Sequence, residues 1–313
     1  VVAAFLSQRG ARSETVAARD AGDDEIERVH SPGYVETVRR EVAAMRGHAG
    51  YLSTGDTVVD ENSLAVARRA AGGAIVAAET AYDCNTATFA IVRPPGHHAE
   101  STRGMGFCVF NNAAIAARAI QAASGARVLV VDFDYHHGNG TQAVSGDGLS
   151  YVSTHAYPAY PGTGSADETS ALRGGDAIVN VPLPPHRFGT EAFVSLWETL
   201  LPRVVRSVRP DILIVSAGFD YVHGDPVGDL GVDVCAARDL AAVLERTAQE
   251  YCSGRVAYVL EGGYNPGALA KSVALILDTH DSRDWDSSAA ETDAIPQTQR
   301  HILDRIDGVL RSV

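Results

Sequence analysis

The stretch Val128-Leu-Val-Val-Asp132-Phe-Asp134-Tyr-His136-His137-Gly-Asn139-Gly140 joins an uninterrupted apolar run to a dense polar one. A second stretch, Ile212-Leu-Ile-Val-Ser216-Ala-Gly-Phe-Asp220, also runs from apolar residues to a carboxylate. Continuous apolar runs of this length are typical of strands buried on both faces, which occur in parallel sheets covered by helices. The two stretches therefore predict an α/β fold with polar residues at one edge of its sheet.

The rest of the chain fits this interpretation, because short β-branched runs alternate with longer helical patterns from about residue 60. We predict strands at 88–93, 127–132, 149–154, 177–181, 211–216 and 255–261, and helices near 63–82, 111–124, 190–208, 234–251, 266–278 and 297–312. The alternation predicts a three-layer α/β/α sandwich around a parallel sheet. The first 60 residues are polar and weakly patterned, and the acidic stretch 281–293 is expected to be a loop.

Composition narrows the class of protein. The 313 residues are 45% hydrophobic, which excludes whole-chain disorder, and no run of about 18 apolar residues predicts a membrane span. With 39 acidic and 26 basic residues the net charge is −13, which disfavours nucleic-acid binding; the surface would attract cations or simply aid solubility. The four cysteines form no C-x-x-C pair, so we expect buried, reduced thiols in a cytoplasmic protein.

Polar residues cluster just after the predicted strands. In a parallel sheet these segments share the carboxyl edge, where α/β proteins bind ligands. Five such segments predict one convergent site: 93–98, 132–140, 153–155, 216–220 and 261–264.

Metal binding is the chemistry that this cluster favours. Asp134 and His136 lie two residues apart on the same side of an extended segment, and Asp220 from another strand end would be a third ligand. Three nitrogen and oxygen ligands with an open position describe a catalytic zinc site. Helix caps and turn hydrogen bonds are the alternative for each residue taken alone.

Acid–base and electrophilic groups accompany these ligands. His97 and His98 follow Pro-Pro-Gly at a loop tip, where they would be general base and acid or merely face solvent. Asp132 and Asn139 could accept hydrogen bonds from the remaining ring N–H groups of these two histidines. Tyr264, in Glu261-Gly-Gly-Tyr264, is either part of a turn or a donor to a developing oxyanion.

Two other motifs are given non-catalytic interpretations. Gly138-Asn-Gly140 weakly imitates a dinucleotide fingerprint, but six residues separate it from its strand, so we reject nucleotide binding. Cys108 has no charged residue beside it in the sequence and is interpreted as a packing residue.

Together these motifs resemble the histone deacetylase superfamily, which also contains bacterial deacetylase-like amidohydrolases and acetylpolyamine deacetylases. The resemblance covers about 25–270 and implies the arginase/deacetylase fold, with an eight-stranded, mainly parallel sheet. It is carried by six segments: 93–98, 106–107, 131–142, 153–164, 216–226 and 260–265.

The resemblance also implies roles for individual residues. It assigns one zinc ion per chain to Asp134, His136 and Asp220, and catalysis to His97, His98, Tyr264, Asp132 and Asn139, with His98 as the base for the attacking water. It assigns a structural K⁺ to Asp132, Asp134, His136, Ser153 and Thr154. It places the substrate's alkyl chain among Gly106, Phe107, Tyr160 and Val227.

Two departures from the family pattern affect the expectations. The N-terminal His-Pro-Glu-Arg-like segment with its first strand is not found, so we expect one domain over 1–313 whose N-terminal segment is incomplete. Val227 stands where one branch of polyamine deacetylases has an acidic gatekeeper, which favours acyl-lysine or a neutral small amide. Glu100 is another acidic residue that could lie near the tunnel mouth.

The leading hypothesis is zinc-dependent hydrolysis of an acyl amide on lysine or a similar alkylamine. The alternatives are an acetylpolyamine deacetylase, a non-catalytic acyl-lysine binder and a binuclear manganese ureohydrolase, which needs more carboxylates than Asp132, Asp134 and Asp220. The expected partners are an acylated lysine peptide or a small acylated amine, without nucleic acid or membrane. A homo-oligomer is left open.

Overall fold

A seven-stranded sheet forms the middle layer of the computed structural model, which describes residues 14–282 and 294–313. Neighbouring strands are parallel except for the antiparallel pair at one edge of the sheet, 170–172 with 176–183. In spatial order the strands are β3 (Ala87–Ala90), β9 (Val256–Leu260), β8 (Ile212–Ala217), β4 (Val128–Asp132), β5 (Leu149–Ala156), β7 (Asp176–Leu183) and β6 (Ser170–Leu172). The predicted α/β sandwich is confirmed, and the described residues supply seven of the eight strands that the resemblance implied.

Helices cover both faces of this sheet, and a small antiparallel hairpin, β1 (Gly50–Tyr51) with β2 (Val58–Val59), lies outside it. The helices are α1 (Asp23–Ile26), α2 (Pro32–Ala44), α3 (Ser63–Cys84), α4 (Asn112–Ser124), α5 (Asn139–Ala143), α6 (Thr190–Val208), α7 (Ala236–Tyr251), α8 (Pro266–Ser282) and α9 (Gln297–Leu310). The predicted loop at 281–293 begins within α8, and 283–293 lie outside the described residues, as do the N-terminal residues 1–13.

Helix α2 was not predicted, although its first residues carry a start signal. Ser31 caps it by accepting a hydrogen bond from the Tyr34 N–H, and proline occupies the first helical position. The helix buries only a narrow stripe of Tyr34, Val35, Val38 and Val42 among charged residues. Because charged residues lie between the few buried ones, the helical spacing of apolar residues is hard to recognise in the first 60 residues.

Two hydrophobic cores hold the layers together, one on each face of the sheet. On one face α6 to α9 bury large side chains such as Trp197, Leu200 and Ile306. On the other face the alanine-rich α3 and α4 pack closely, and Phe110 and Tyr34 fill the space beside them. Because both faces of β4 and β8 are covered, their apolar runs are continuous.

The strand register places the polar segments at the centre of one edge. Asp132 ends β4 and lies opposite Ser153 of β5 on one side and Ser216 of β8 on the other. Segments that continue from β4, β8 and β9 therefore emerge side by side, as the sequence predicted.

The cysteines differ in part from expectation. Cys108 and Cys252 are buried, but Cys84 and Cys235 are exposed, so the prediction of buried thiols is wrong for these two. Cys84 ends α3 and Cys235 precedes α7, and helix ends at the surface leave side chains open to solvent. Among the described helices, none combines the length and apolarity needed to cross a bilayer.

Candidate functional site

The three predicted metal ligands lie together beyond the ends of β4 and β8. One ligand atom from each of Asp134, His136 and Asp220 lies within 4.8 Å of the other two. His136 Nδ1 is 2.9 Å from Asp220 Oδ2 and 3.2 Å from Asp134 Oδ1. Both carboxylates are buried, which is costly for adjacent negative charges unless a cation compensates them.

Backbone N–H groups hold the two carboxylates in this arrangement. Asp134 accepts hydrogen bonds from the N–H groups of His136 (2.9 Å) and Gly262 (2.8 Å). Asp220 accepts one from the Tyr135 N–H at 2.9 Å. A Cβ on Gly262 would lie 2.5 Å from Asp220 Oδ2 and 2.6 Å from Asp134 Oδ2, so only glycine lets the backbone approach both.

The charges in this cluster shift its protonation equilibria. Burial, reinforced by repulsion from Asp134, raises the pKa of Asp220 to about 6. Burial opposes protonation of His136, but hydrogen bonds to Asp134 and Asp220 and their charges raise its pKa to about 10. A ligating imidazole must lose this proton, so metal affinity is expected to fall as the pH decreases. The donor set of one imidazole and two carboxylates fits a divalent cation such as zinc.

The tandem histidines are buried against the ligands, which excludes their interpretation as solvent-facing side chains. Their ring centroids are 4.1 Å apart. His97 Nδ1 lies 3.1 Å from Asp132 Oδ2, and His98 Nδ1 lies 2.8 Å from Asn139 Oδ1. An acceptor at each Nδ1 favours the tautomer that carries its proton there, which leaves Nε2 of a neutral ring free to accept a proton.

The two rings differ in the pKa values that their surroundings favour. Burial lowers the pKa of His98 well below its ordinary value, and repulsion from protonated His97 and His136 lowers it further. Burial also acts against His97, but attraction to Asp134 and Asp132 outweighs it and raises the pKa to about 10. Adjacent titratable groups whose pKa values are shifted in opposite directions are typical of an acid–base pair.

Glu261 holds the backbone of the histidine loop, a role that sequence reasoning missed. Its Oε2 accepts hydrogen bonds from the N–H groups of Gly96 (2.6 Å) and His97 (3.1 Å), and Ser216 Oγ donates to its Oε1 at 3.2 Å. Burial raises the pKa of Glu261 to about 7. The sequence signal for this role was the position of Glu261, a carboxylate directly after the buried apolar run of β9.

Tyr264 follows Gly262 and Gly263 in the segment after β9. Burial raises the pKa of Tyr264 above its usual value, and the charges of Asp134 and Asp220 raise it further, so the hydroxyl remains a hydrogen-bond donor. Its ring meets that of Phe107 edge to face, with centroids 5.8 Å apart. Its backbone N–H donates to Asp225 Oδ2 at 2.7 Å.

Three of the predicted substrate-binding residues carry large side chains that are partly open to solvent. Phe107, Tyr160 and Val227 are 54%, 39% and 44% exposed, respectively, which is unusual for large apolar side chains. The Tyr160 ring lies edge-on to His98 with centroids 5.1 Å apart, so the rim continues into the histidine pair.

Asp56 provides a carboxylate at this rim, and the sequence did not single it out. Its oxygens accept hydrogen bonds from the Gly106 N–H (2.8 Å) and the Tyr160 hydroxyl (3.0 Å). Glu100 instead accepts from Asn139 Nδ2 at 2.8 Å, so it holds the partner of His98. Asp56 lies in a polar segment with no strand or helix pattern, which is why sequence reasoning passed over it.

A buried polar network supports the segment that carries Tyr160. His137 lies between Thr163 Oγ1 (2.8 Å) and Gln142 Oε1 (2.9 Å). His155 Nε2 lies 2.7 Å from the Gly164 carbonyl, and its Nδ1 is 2.9 Å from Ser153 Oγ. These two histidines thus tie the 160–164 loop to β5 and to the segment after β4.

The residues expected to bind potassium are neighbours around the ends of β4 and β5. Asp132 and Ser153 are register partners, and Thr154 follows on the same strand. Thr154 Oγ1 is buried without a hydrogen-bond partner in the described part of the chain. Asp132 is held by Tyr151, whose hydroxyl donates to its Oδ2 at 3.0 Å.

Comparisons with known proteins agree with this geometry. The Histone deacetylase domain profile matches residues 1–280. Histone deacetylase 15 of Arabidopsis thaliana is 35% identical over 288 residues, covering 88% of this chain and 50% of that protein. A probable deacetylase of Methanothermobacter thermautotrophicus is 38% identical over 291 residues, covering 91% of this chain and 84% of that protein.

The structural comparison gives the same family. A crystal structure of the HDA15 HD domain superposes with a TM-score of 0.86 at 33% identity, covering 99% of this chain and 86% of that one. The chain spans half the length of histone deacetylase 15, so it corresponds to part of that protein. The profile match, the relatives and the shared fold together confirm the resemblance seen in the motifs: the chain belongs to the histone deacetylase family.

Proposed function

We propose that the chain is a zinc-dependent deacetylase that hydrolyses an acyl amide on a lysine side chain or a similar alkylamine. The observation that carries the proposal is the buried Asp134–His136–Asp220 cluster, accompanied by two buried histidines whose pKa values are shifted in opposite directions and by a phenol that stays protonated. A mere acyl-lysine binder would have no need of this complete set of groups.

One zinc ion per chain fits the donors best. Zinc bound there would act as a Lewis acid toward water and the amide carbonyl. The nearest further carboxylate, Asp132, already accepts from Tyr151 and from the Asp134 N–H (3.1 Å) and lies against His97. Because these hydrogen bonds already occupy Asp132, the site favours one metal ion over the two of a manganese ureohydrolase.

The histidines divide the proton transfers between them. His98 is neutral and accepts the proton of the attacking water at Nε2, because its Nδ1–H is directed to Asn139. Asn139 is itself oriented by its hydrogen bond to Glu100. His97, whose Nδ1 faces the Asp132 carboxylate, gives a proton to the departing amine.

Tyr264 supplies a hydrogen bond that stabilises negative charge on the substrate during the reaction. Its hydroxyl stays protonated and so can donate to the oxyanion that develops on the substrate carbonyl. A preorganised donor of this kind acts more strongly in a buried site than in water.

The rim favours acyl-lysine or a neutral acyl amide over acetylpolyamines. Val227 presents an isopropyl group that is 44% exposed, and the Glu100 carboxylate accepts a hydrogen bond from Asn139 beside His98. An ammonium group entering the mouth would therefore meet an apolar surface beside Val227.

We further propose a structural potassium ion near Asp132 and a single domain over 1–313. Support for the domain comes from α9, which lies beyond the family-matched residues yet buries Leu303 and Ile306 in the core. Asp307 also pairs with Arg203 of α6 at 2.8 Å.

Removing a ligand is expected to remove the metal and the activity together. Asp220→Ala should lose zinc and turnover of an acetyl-lysine peptide, because three ligands leave none to spare. Metal per chain measured by mass spectrometry, with chelator-treated protein alongside, checks this. Asp229→Ala is the matched control, since among the described residues its carboxylate is hydrogen-bonded to the backbone of Gly224 and Gly231 and to the side chain of His223. Full zinc occupancy in Asp220→Ala would contradict the site.

Removing the phenol hydroxyl is expected to slow catalysis without emptying the site. Tyr264→Phe should lower kcat by about 10²–10³-fold with a smaller change in KM, since an oxyanion donor acts in the transition state. Steady-state kinetics with zinc content measured in parallel tests this. Tyr221→Phe removes a buried hydroxyl that has no partner among the described residues and should leave kcat unchanged. A loss below about threefold in Tyr264→Phe would rule out the donor role.

Adding a carboxylate at the rim is expected to shift substrate choice. Val227→Glu should raise the turnover of N-acetylspermidine relative to acetyl-lysine peptide, because a charge within about 4 Å contributes up to roughly 4 kcal/mol before desolvation. Val66→Glu adds the same charge at an exposed valine of α3 and should leave the ratio unchanged. The proposal fails if the unmodified protein already prefers the polyamine by about a hundredfold, a gap of roughly 2.7 kcal/mol.

Potassium is expected to stabilise the fold. The melting temperature should rise more in KCl than in NaCl of equal ionic strength, because an ion that binds only the folded state shifts unfolding. Ser153→Ala should reduce this difference. Ser150→Ala, a change on the same strand as Ser153, removes the hydroxyl that accepts a hydrogen bond from the Ala177 N–H of β7 and should keep the difference. Equal melting temperatures in both salts would exclude the site.

A further inference from the structure

Asp225 is a buried carboxylate that the proposed mechanism does not use. It is 8% exposed and lies in the segment after β8, between the metal ligand Asp220 and the rim residue Val227. No lysine or arginine side chain is hydrogen-bonded or ion-paired with it in the described part of the chain; backbone N–H groups satisfy it instead.

Its two oxygens bind different segments. Oδ1 accepts from the N–H groups of Val227 (2.9 Å) and Gly228 (3.3 Å) in its own loop. Oδ2 accepts from those of Tyr264 (2.7 Å) and Asn265 (2.9 Å), which follow β9. One side chain therefore joins the rim segment to the segment that carries the phenol.

The segment around Tyr264 needs such an external restraint. Gly262 and Gly263 precede it, and Gly263 adopts a φ of +127°, so these two positions have no side chains to hold the backbone. Asn265 follows and caps the start of α8, where its Oδ1 accepts from the N–H groups of Gly267 and Ala268. The charge of Asp225 also lies at the positive end of that helix, which stabilises it there.

We propose that Asp225 is a positioning residue that fixes the backbone of Tyr264, and through it the phenol hydroxyl, relative to the metal ligands and the rim. The inference rests on the proposed deacetylase function. Its physical basis is that four N–H donors converge on an acceptor that has no hydrogen to offer. An asparagine amide at this position would place its NH₂ group, which is itself a donor, against two of those N–H groups.

The test is a double-mutant cycle between Asp225→Asn and Tyr264→Phe. A displacement of about 1 Å can cost on the order of 10²-fold in rate, so Asp225→Asn should lower kcat by up to that factor while zinc content and KM change little. In the Tyr264→Phe background the same change should have almost no further effect on kcat. A general loss of structure would instead multiply the two effects.

Asp229→Asn is the matched control for this cycle. Asp229 also accepts backbone N–H groups in the same loop, from Gly224 (3.1 Å) and Gly231 (2.6 Å), but has no hydrogen bond to the Tyr264 segment. Its variant should leave kcat unchanged in both backgrounds. Independent kcat losses for Asp225→Asn and Tyr264→Phe would overturn the inference.

Hydrogen exchange gives a readout that does not need activity. The amides of Tyr264 and Asn265 should exchange faster in Asp225→Asn than in the unmodified protein or in Asp229→Asn. If the unmodified protein lacked zinc-dependent turnover, the proposed function would fail, and unchanged exchange would separately refute the positioning role. Should Asp225→Asn not fold, Asp225→Glu keeps the charge but moves it by one methylene, and should show the same non-additivity with Tyr264→Phe.

Discussion

The structure depends on the compensation of two buried carboxylates, Asp134 and Asp220, that lie against one imidazole. Neither has access to water, and each raises the cost of ionising the other. The protein meets this cost with the adjacent His136, N–H groups of the surrounding loops, and glycines that let the backbone come close. A divalent cation would complete the compensation, and the surrounding segments are shaped by the need to leave that position available.

Carboxylates also organise the loops around the centre, in a second role distinct from metal binding. Glu261 holds the histidine loop, Asp225 holds the Tyr264 segment, and Asp56 joins Gly106 to Tyr160. Each accepts N–H or O–H groups of a neighbouring segment, so loops from distant parts of the chain are fixed relative to one another.

The pKa values of the tandem histidines differ because different side chains face their Nδ1 atoms. Both rings are buried and their centroids are 4.1 Å apart, yet His97 faces a carboxylate and His98 faces an amide. Asp132 favours the charged form of His97, and that charge in turn disfavours a proton on His98. Two identical side chains thus acquire the different proton affinities that acid and base need.

The sequence by itself determined the sandwich and the edge where the site lies. The apolar runs of β4 and β8 can only be buried on both faces, and parallel strands bring the residues after them together. It also placed Asp134, His136 and Asp220 in one cluster, because each follows such a run. Helix α2 escaped prediction because its buried stripe is narrow and interrupted by charged residues.

Tertiary structure decided which acidic residue serves which segment. Glu261, Asp225 and Asp56 act on backbone groups 165, 39 and 50 positions away, respectively, and no local pattern encodes such a distance. It also showed that Glu100 lies beside Asn139, because the loop's course past the histidines depends on packing and not on its composition. Periodicity reports which face of an element is buried, whereas the pairing of a carboxylate with a distant N–H exists only once the loops have been brought together.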